Sequence, residues 1–318
     1  MIDISKRWFL VGLIVLTVAA PNWASAMTFK RIVVFGTSLS DPGNAFALTG
    51  QSIKKPYSEL DDFLIPPAPY AAGGYHFSNG QTWVEQFARR FELGDSVSPA
   101  FGESETATNY AVGGARARAD GLNINLPDQV AVFLSDVAAS APAAALYVID
   151  MGSNDVRDAL LAGSLAEAQA ILADALASIG GQMANLYGAG ARKFLVLNVP
   201  NLGVLPSIQI LDSIFPGAAA FAGILAETFN ANLDSVIASL AALPGVEIAR
   251  LNVHQKVNDL IANPAKFGLK EVSVPCITPD VRPFTCKKPD RFLFWDGIHP
   301  TKAVHAILAK EAAVILDQ

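Results

Sequence analysis

The stretch Arg31-Ile32-Val33-Val34-Phe35-Gly36-Thr37-Ser38 decides how this chain is read. A short apolar run rich in β-branched residues and closed by glycine is the pattern of a strand buried on both faces. Runs of the same kind recur at 108–111, 145–149, 193–197 and 246–250. Between consecutive runs lie segments with helical spacing of apolar residues, at 82–91, 128–138, 165–187 and 218–240. Strand and helix in alternation build βαβ crossovers, so the expectation is one α/β domain with a parallel sheet covered on both faces. No Ser/Gly/Pro linker and no repeat divides the chain. A last helix is expected over 301–316, with Pro300 in its first turn, where the missing N–H is not needed, and His299 at its entrance. The segment 54–80 holds four prolines and three glycines without a steady period. It reads as an ordered surface excursion whose aromatics Phe63, Tyr70, Tyr75 and Phe77 suit either a substrate wall or packing onto the core.

With 318 residues, 52% hydrophobic and 16% charged, the chain can bury a large core. The formal charge of −6 and the scattered Lys and Arg residues exclude a phosphate-backbone stripe, so nucleic acid is not an expected partner. The first 26 residues carry Lys6 and Arg7, an apolar run at 8–20, then Ala24-Ser25-Ala26, the order of a secretory leader. The alternative is a retained anchor, but the run falls short of the roughly 20 residues that cross a bilayer. Cleavage after Ala26 leaves a net charge of −7. The mature chain, 27–318, is then expected to be exported to the periplasm or the extracellular space, with no transmembrane segment. Cys276 and Cys286 are the two cysteines, and export places them where thiols oxidise. They are read as one disulfide; two free thiols, or a metal pair lacking further His and Cys ligands nearby, are the alternatives.

Ser38 follows the first strand directly, at the carboxyl end where open parallel sheets bind ligands. A serine in a glycine-containing turn is more often a plain turn or cap residue, so its chemistry depends on partners. A hydroxyl nucleophile needs a base within hydrogen-bond reach and a group that orients the base. Of four histidines, His299 has the best-placed acid, Asp296, three residues upstream in Asp296-Gly297-Ile298-His299-Pro300. His76 and His305 have no acid so placed, and Asp259 lies five residues beyond His254. His305 reads as a surface residue of the last helix and His254 as a helix-start residue. Donors for a developing oxyanion are offered by the Asn154 amide after strand 145–149, by a glycine of Val112-Gly113-Gly114-Ala115, and by the Ser38 N–H.

Taken together these segments resemble the SGNH, or GDSL, family of esterases and lipases. Gly36-Thr37-Ser38-Leu39-Ser40-Asp41 matches its nucleophile block, and Asn109 to Ala115 its oxyanion-glycine block. Gly152-Ser153-Asn154-Asp155 and Asp296-Gly297-Ile298-His299-Pro300 match the other two. The blocks span nearly the whole mature chain in the family's order. The resemblance implies a three-layer α/β/α sandwich on a flavodoxin-like, five-stranded parallel sheet, with no metal or organic cofactor. It implies Ser38, Asp296 and His299 as catalytic residues, and Ser38, Gly114 and Asn154 as the oxyanion hole, with Gly113 still open in place of Gly114. Thr37 stands where the family's pattern has Asp. The segments 76–83 and 198–203 are also similar to the secreted bacterial branch of phospholipases, lecithinases, haemolysin-like proteins and acyltransferases. The expected function is therefore an exported carboxylic-ester hydrolase on a small-molecule or lipid ester. Its rivals are an acyltransferase or phospholipase on the same scaffold and a noncatalytic exported binding protein. Residues 63–69 and 202–210 are apolar enough to bind an acyl chain.

Overall fold

The computed structural model describes residues 27–102, 104 and 106–317, and the leader read over 1–26 lies outside them. In chain order the elements are β1 (Arg31–Gly36), α1 (Asn44–Thr49), α2 (Trp83–Arg90), α3 (Leu126–Asp136), β2 (Ala145–Asp150), α4 (Ser153–Leu160), α5 (Leu165–Ala189), β3 (Lys193–Leu197), α6 (Pro206–Ile214), α7 (Ala218–Ala241), β4 (Glu247–Leu251), α8 (Val253–Ala262), β5 (Glu271–Pro275), β6 (Phe292–Phe294) and α9 (Lys302–Leu316). The strands β1 to β4 lie side by side in that order and are all parallel. The register sets Gly36 opposite Asp150, so the carboxyl ends of β1 and β2 finish level.

The run at 108–111 supplies the fifth member on the free edge of β1. The Val34 N–H donates to the Thr108 carbonyl at 2.9 Å, and the Tyr110 and Val112 N–H groups donate to Val34 and Gly36 at 2.8 and 3.1 Å. Its outer side is covered by backbone and side chain together: the Ala100 N–H donates to the Asn109 carbonyl at 3.0 Å, and the Asn44 amide donates to the carbonyls of Asn109 and Ala111 at 2.7 and 2.8 Å.

Alternation along β1 sorts its side chains between two layers. Val33 and Phe35 pack with Phe133 of α3, Ile179 of α5 and Leu233 of α7. Ile32 and Val34 pack with Phe87 of α2, Val257 of α8 and Leu308 of α9 on the other face. The fold is the expected α/β/α sandwich. Each of these fully buried side chains contributes roughly 1.5–3 kcal/mol. Among the described residues no helix is long and apolar enough to cross a membrane.

Two expectations need correction. His305 is not a surface residue: it is 1% exposed between α9 and α2, and its Nδ1 accepts the Trp83 N–H at 3.1 Å. Burial, with His76 and His299 nearby, pushes it down to about 3, so it is neutral. Pro300 lies outside the last helix, which begins at Lys302 with Thr301 as its N-cap. Residues 295–299 close a tight turn instead: the Trp295 N–H donates to the His299 carbonyl at 2.7 Å, and Thr301 N–H to Leu293 at 3.0 Å. His299 therefore sits in a turn held at both ends, rather than at a helix entrance.

Cys276 and Cys286 are joined in a disulfide. The N–H groups of Cys276 and Ile277 donate to Phe294 and Trp295, each at 3.0 Å, which fastens this loop to the segment leading into Asp296.

Gly152 links β2 to α4 with φ of +111°, a region that L side chains avoid, and a Cβ there would stand 2.5 Å from the Phe229 ring. Gly152→Ala is expected to lower the unfolding free energy by more than about 1 kcal/mol in urea titration. An unchanged midpoint would show that the turn adapts.

Candidate active site

The site is built on the loop after β1. Gly36 is clamped by Gln129 of α3, which accepts its N–H at 2.9 Å and donates to its carbonyl at 3.0 Å. Thr37 follows, 2% exposed, and the chain turns as the Ser40 N–H reaches the Thr37 carbonyl at 3.0 Å. The Ser40 hydroxyl donates to Asp150 Oδ2 at 2.6 Å and accepts from the Trp83 indole at 2.9 Å. Asp41 then accepts the N–H groups of Gly43, Asn44 and Ala45 at 2.8, 2.6 and 3.2 Å, and of Gly113 at 2.8 Å. Ser38 is left half-buried at the crest of the loop that these bonds hold.

His299 faces it from the other end of the chain. Its Nε2 is 2.9 Å from Ser38 Oγ and its Nδ1 is 2.7 Å from Asp296 Oδ2. A carboxylate beside Nδ1 requires the proton there, which leaves Nε2 free to accept from the serine hydroxyl. Asp296 is fully buried and its acceptor sites are filled. Oδ1 takes the N–H groups of Ile298 and His299 at 2.9 and 2.7 Å, and Oδ2 also takes the Tyr70 hydroxyl at 2.8 Å. Burial and the Asp296 charge hold the Tyr70 phenol well above its usual range, so it remains a donor. The Phe77 ring lies 5.4 Å from the imidazole, centroid to centroid. Phe77 also presses on Gly113, where a Cβ would come within 2.2 Å of the ring.

Asn154, in the first turn of α4, is steered by an Nδ2 bond to the Ala115 carbonyl at 2.8 Å. With Ser38 and His299 it lines a groove whose walls are Leu39, Leu202, Leu205 and Ile208. The groove meets a cleft lined by Phe63, Ile65 and Leu211, so both apolar segments noted in the sequence border the site. Gly114 is not among the groove's lining residues. Its φ is +83°, and its N–H has no acceptor among the described residues, whereas the Gly113 N–H is committed to Asp41. Of the two glycines left open by the sequence, Gly114 is the one with a free amide. The Ser38 N–H is likewise free among the described residues.

The remaining histidines do not line the Ser38 groove. His254 is at the start of α8. His76 has an acid partner that no local spacing showed: Glu85, nine residues on, is 2.9 Å from its Nε2. Burial opposes the charge on His76, but Glu85 outweighs it and its pKa rises. Sequence reasoning missed Tyr70 as the partner of Asp296, and Asp150 as the acceptor for Ser40. The first had no local signal across so long a separation; the second was visible only as a polar residue ending an apolar strand.

The sequence pattern of the GDSL-like Lipase/Acylhydrolase family matches residues 32–312. A GDSL esterase/lipase of Arabidopsis thaliana is 26% identical over 89% of this chain and 84% of its own. A phosphatidylcholine-sterol acyltransferase of Aeromonas hydrophila is 26% identical over 98% of this chain and 97% of its own. Among solved structures, a variant of an acetyl-xylooligosaccharide esterase from Geobacillus aligns over 92% of this chain and 97% of its own, with 12% identity and a TM-score of 0.47.

Burial raises Asp150 from 3.8 to about 6, against the opposing bond from Ser40. An acid with a raised folded pKa stabilises the fold below its unfolded value, and that contribution is lost as pH rises through about 6. Relative to Asp150→Asn, the unfolding free energy of the wild-type protein should therefore fall by on the order of 2–3 kcal/mol between about pH 4 and 7. A difference flat with pH would remove Asp150 from this role.

Proposed function

This chain belongs to the GDSL-like lipase/acylhydrolase family, and from that premise we propose that it is an exported enzyme that cleaves carboxylic esters through an acyl-enzyme on Ser38. The observation that carries the mechanism is the unbroken line from Ser38 Oγ to His299 Nε2, 2.9 Å, and from Nδ1 to Asp296, 2.7 Å. Ser38 Oγ attacks the ester carbonyl while His299 takes its proton. Asp296, fixed by Tyr70 and two backbone N–H groups, holds the imidazole in the required tautomer and stabilises its charged form. The amides of Ser38, Gly114 and Asn154 receive the oxyanion. His299 then gives its proton to the leaving alcohol. In the second half-reaction it deprotonates a water that attacks the acyl-serine, and the acid departs as Ser38 regains its proton.

The apolar walls of the groove support an ester with an apolar acyl part. Export is supported by the leader pattern of Lys6, Arg7, the apolar run and Ala24-Ser25-Ala26, and by the Cys276–Cys286 disulfide, a bond of oxidising compartments. A second reading follows from the near full-length likeness to a protein named as an acyltransferase. There the acyl group passes from Ser38 to an acceptor alcohol in place of water. Product analysis with and without glycerol or a sterol separates the two.

Ser38→Ala is expected to cut p-nitrophenyl ester turnover by about 10⁴-fold or more, with the folded state retained. Undiminished turnover would exclude Ser38 as the nucleophile. Asn154→Ala should lower kcat by about 10²–10³-fold, the usual loss on removing one oxyanion donor.

A further inference from the structure

The cleft that continues the groove away from Ser38 is walled by Phe63, Ile65, Leu160 and Leu211, yet two of its lining residues carry polar groups without partners among the described residues. Arg157 lines both the groove and the cleft, one helical turn after Asn154 on α4. Among the described residues its guanidinium has no hydrogen-bond acceptor and no ion pair, unlike Arg116 and Arg118 beside it. Among the described residues neither of the two acids that influence it pairs with it. Asp158 is shared by Arg116 and Arg118, and Asp61 accepts the N–H groups of Phe63 and Ile65 at 3.0 and 2.8 Å. Burial, then the like charge of Arg116, lowers the Arg157 pKa from its usual value, the sign of a cation short of compensation. The second group is Ser207, in the first turn of α6. It is 1% exposed, its hydroxyl has no partner among the described residues, and it lines the same cleft. A buried hydroxyl and a half-buried guanidinium left unpaired in residues that line one apolar cleft are each costly.

We infer that the cleft between α4 and α6 is a subsite for a carboxylate or phosphate carried on an apolar tail, with Arg157 as its cationic partner and Ser207 as a hydroxyl donor. Because Arg157 also borders the Ser38 groove, the anion stands next to the ester. The enzyme therefore selects esters whose acyl or alcohol part bears an acidic group, a role in specificity that rests on the proposed function of Ser38. A neutral ester leaves both groups unpaired and is the poorer ligand.

Binding to Ser38→Ala protein tests this without turnover. Titration calorimetry with octanoate, octyl phosphate and 1-octanol should show at least one of the two anions binding about tenfold or more tighter than the alcohol. The tighter anion identifies the acidic group as carboxylate or phosphate. Inorganic phosphate, which has no tail for the apolar walls, should bind more weakly than octyl phosphate. Adding Arg157→Gln should abolish the preference for the anion, and adding Ser207→Ala should narrow it. Equal affinity for the three octyl ligands, or a preference that persists in the Arg157→Gln protein, overturns the inference. If Arg157→Gln does not fold, a preference unchanged in Ser207→Ala overturns it instead. The readout is binding to a protein without the Ser38 hydroxyl, so its failure leaves ester hydrolysis standing, and failure of ester hydrolysis leaves the binding result standing.

Discussion

The carboxylate of Asp41 is wholly buried and is held by four backbone N–H groups from two segments of chain. A charge so far from water is tolerated only where hydrogen bonds replace its hydration, and the competition is close: burial raises Asp41 to about 6 while the N–H groups pull it down. The rest of the site depends on this interaction. It fixes the path of the chain after Ser38, starts α1, and ties the nucleophile loop to Gly113. That bond commits the Gly113 amide and leaves Gly114 free, so one buried acid decides which glycine of the pair has an N–H to offer.

The same logic recurs on the opposite wall. Asp296 is surrounded by donors from its own turn and by Tyr70, which arrives from the irregular segment after α1. That segment packs Tyr57, Tyr70 and Trp295 with the disulfide into a small core of its own. Its aromatics therefore divide by task. Tyr70 supports the acid, Phe77 backs the imidazole, Tyr75 stacks on Phe46 near the surface, and Phe63 reaches the cleft. The rigidity of the site comes from buried polar groups that are nearly all satisfied, set between apolar layers that exclude water. Among the described residues the Ser207 hydroxyl and the Trp295 indole N–H are buried exceptions, and Arg157 is a cation without a partner.

Much of the fold was legible because its signals are local. The strands of the main sheet and the long helices α5 and α7 carry enough apolar repeats to reveal their period, and their ends were placed within one or two residues. The helix α4 was not read, because its eight residues include Asn154, Asp155, Arg157 and Asp158, and too few apolar positions remain to show a period. Pro300 was read into the last helix on its general preference for a first turn, but two backbone bonds across 293–301 place it before the helix cap. His305 was read as exposed because a lone histidine on a helix has no visible partner in sequence. Its partner is the first N–H of α2, which only the packing of α2 on α9 supplies.

What the sequence by itself determined is the layered α/β architecture and the identity of the groups at its carboxyl edge. Both follow from short-range pattern: apolar periodicity sets the elements, and a parallel sheet sends every strand end to the same side. The 2.9 Å approach of Ser38 to a histidine 261 residues away was decided by tertiary structure, as were Tyr70 on Asp296, Asp41 on Gly113 and the meeting of Arg157 and Ser207 on one cleft. These pairings depend on where loops of no regular period come to rest. That is settled by the demand that buried polar groups find partners across the fold, a condition no window of neighbouring residues contains.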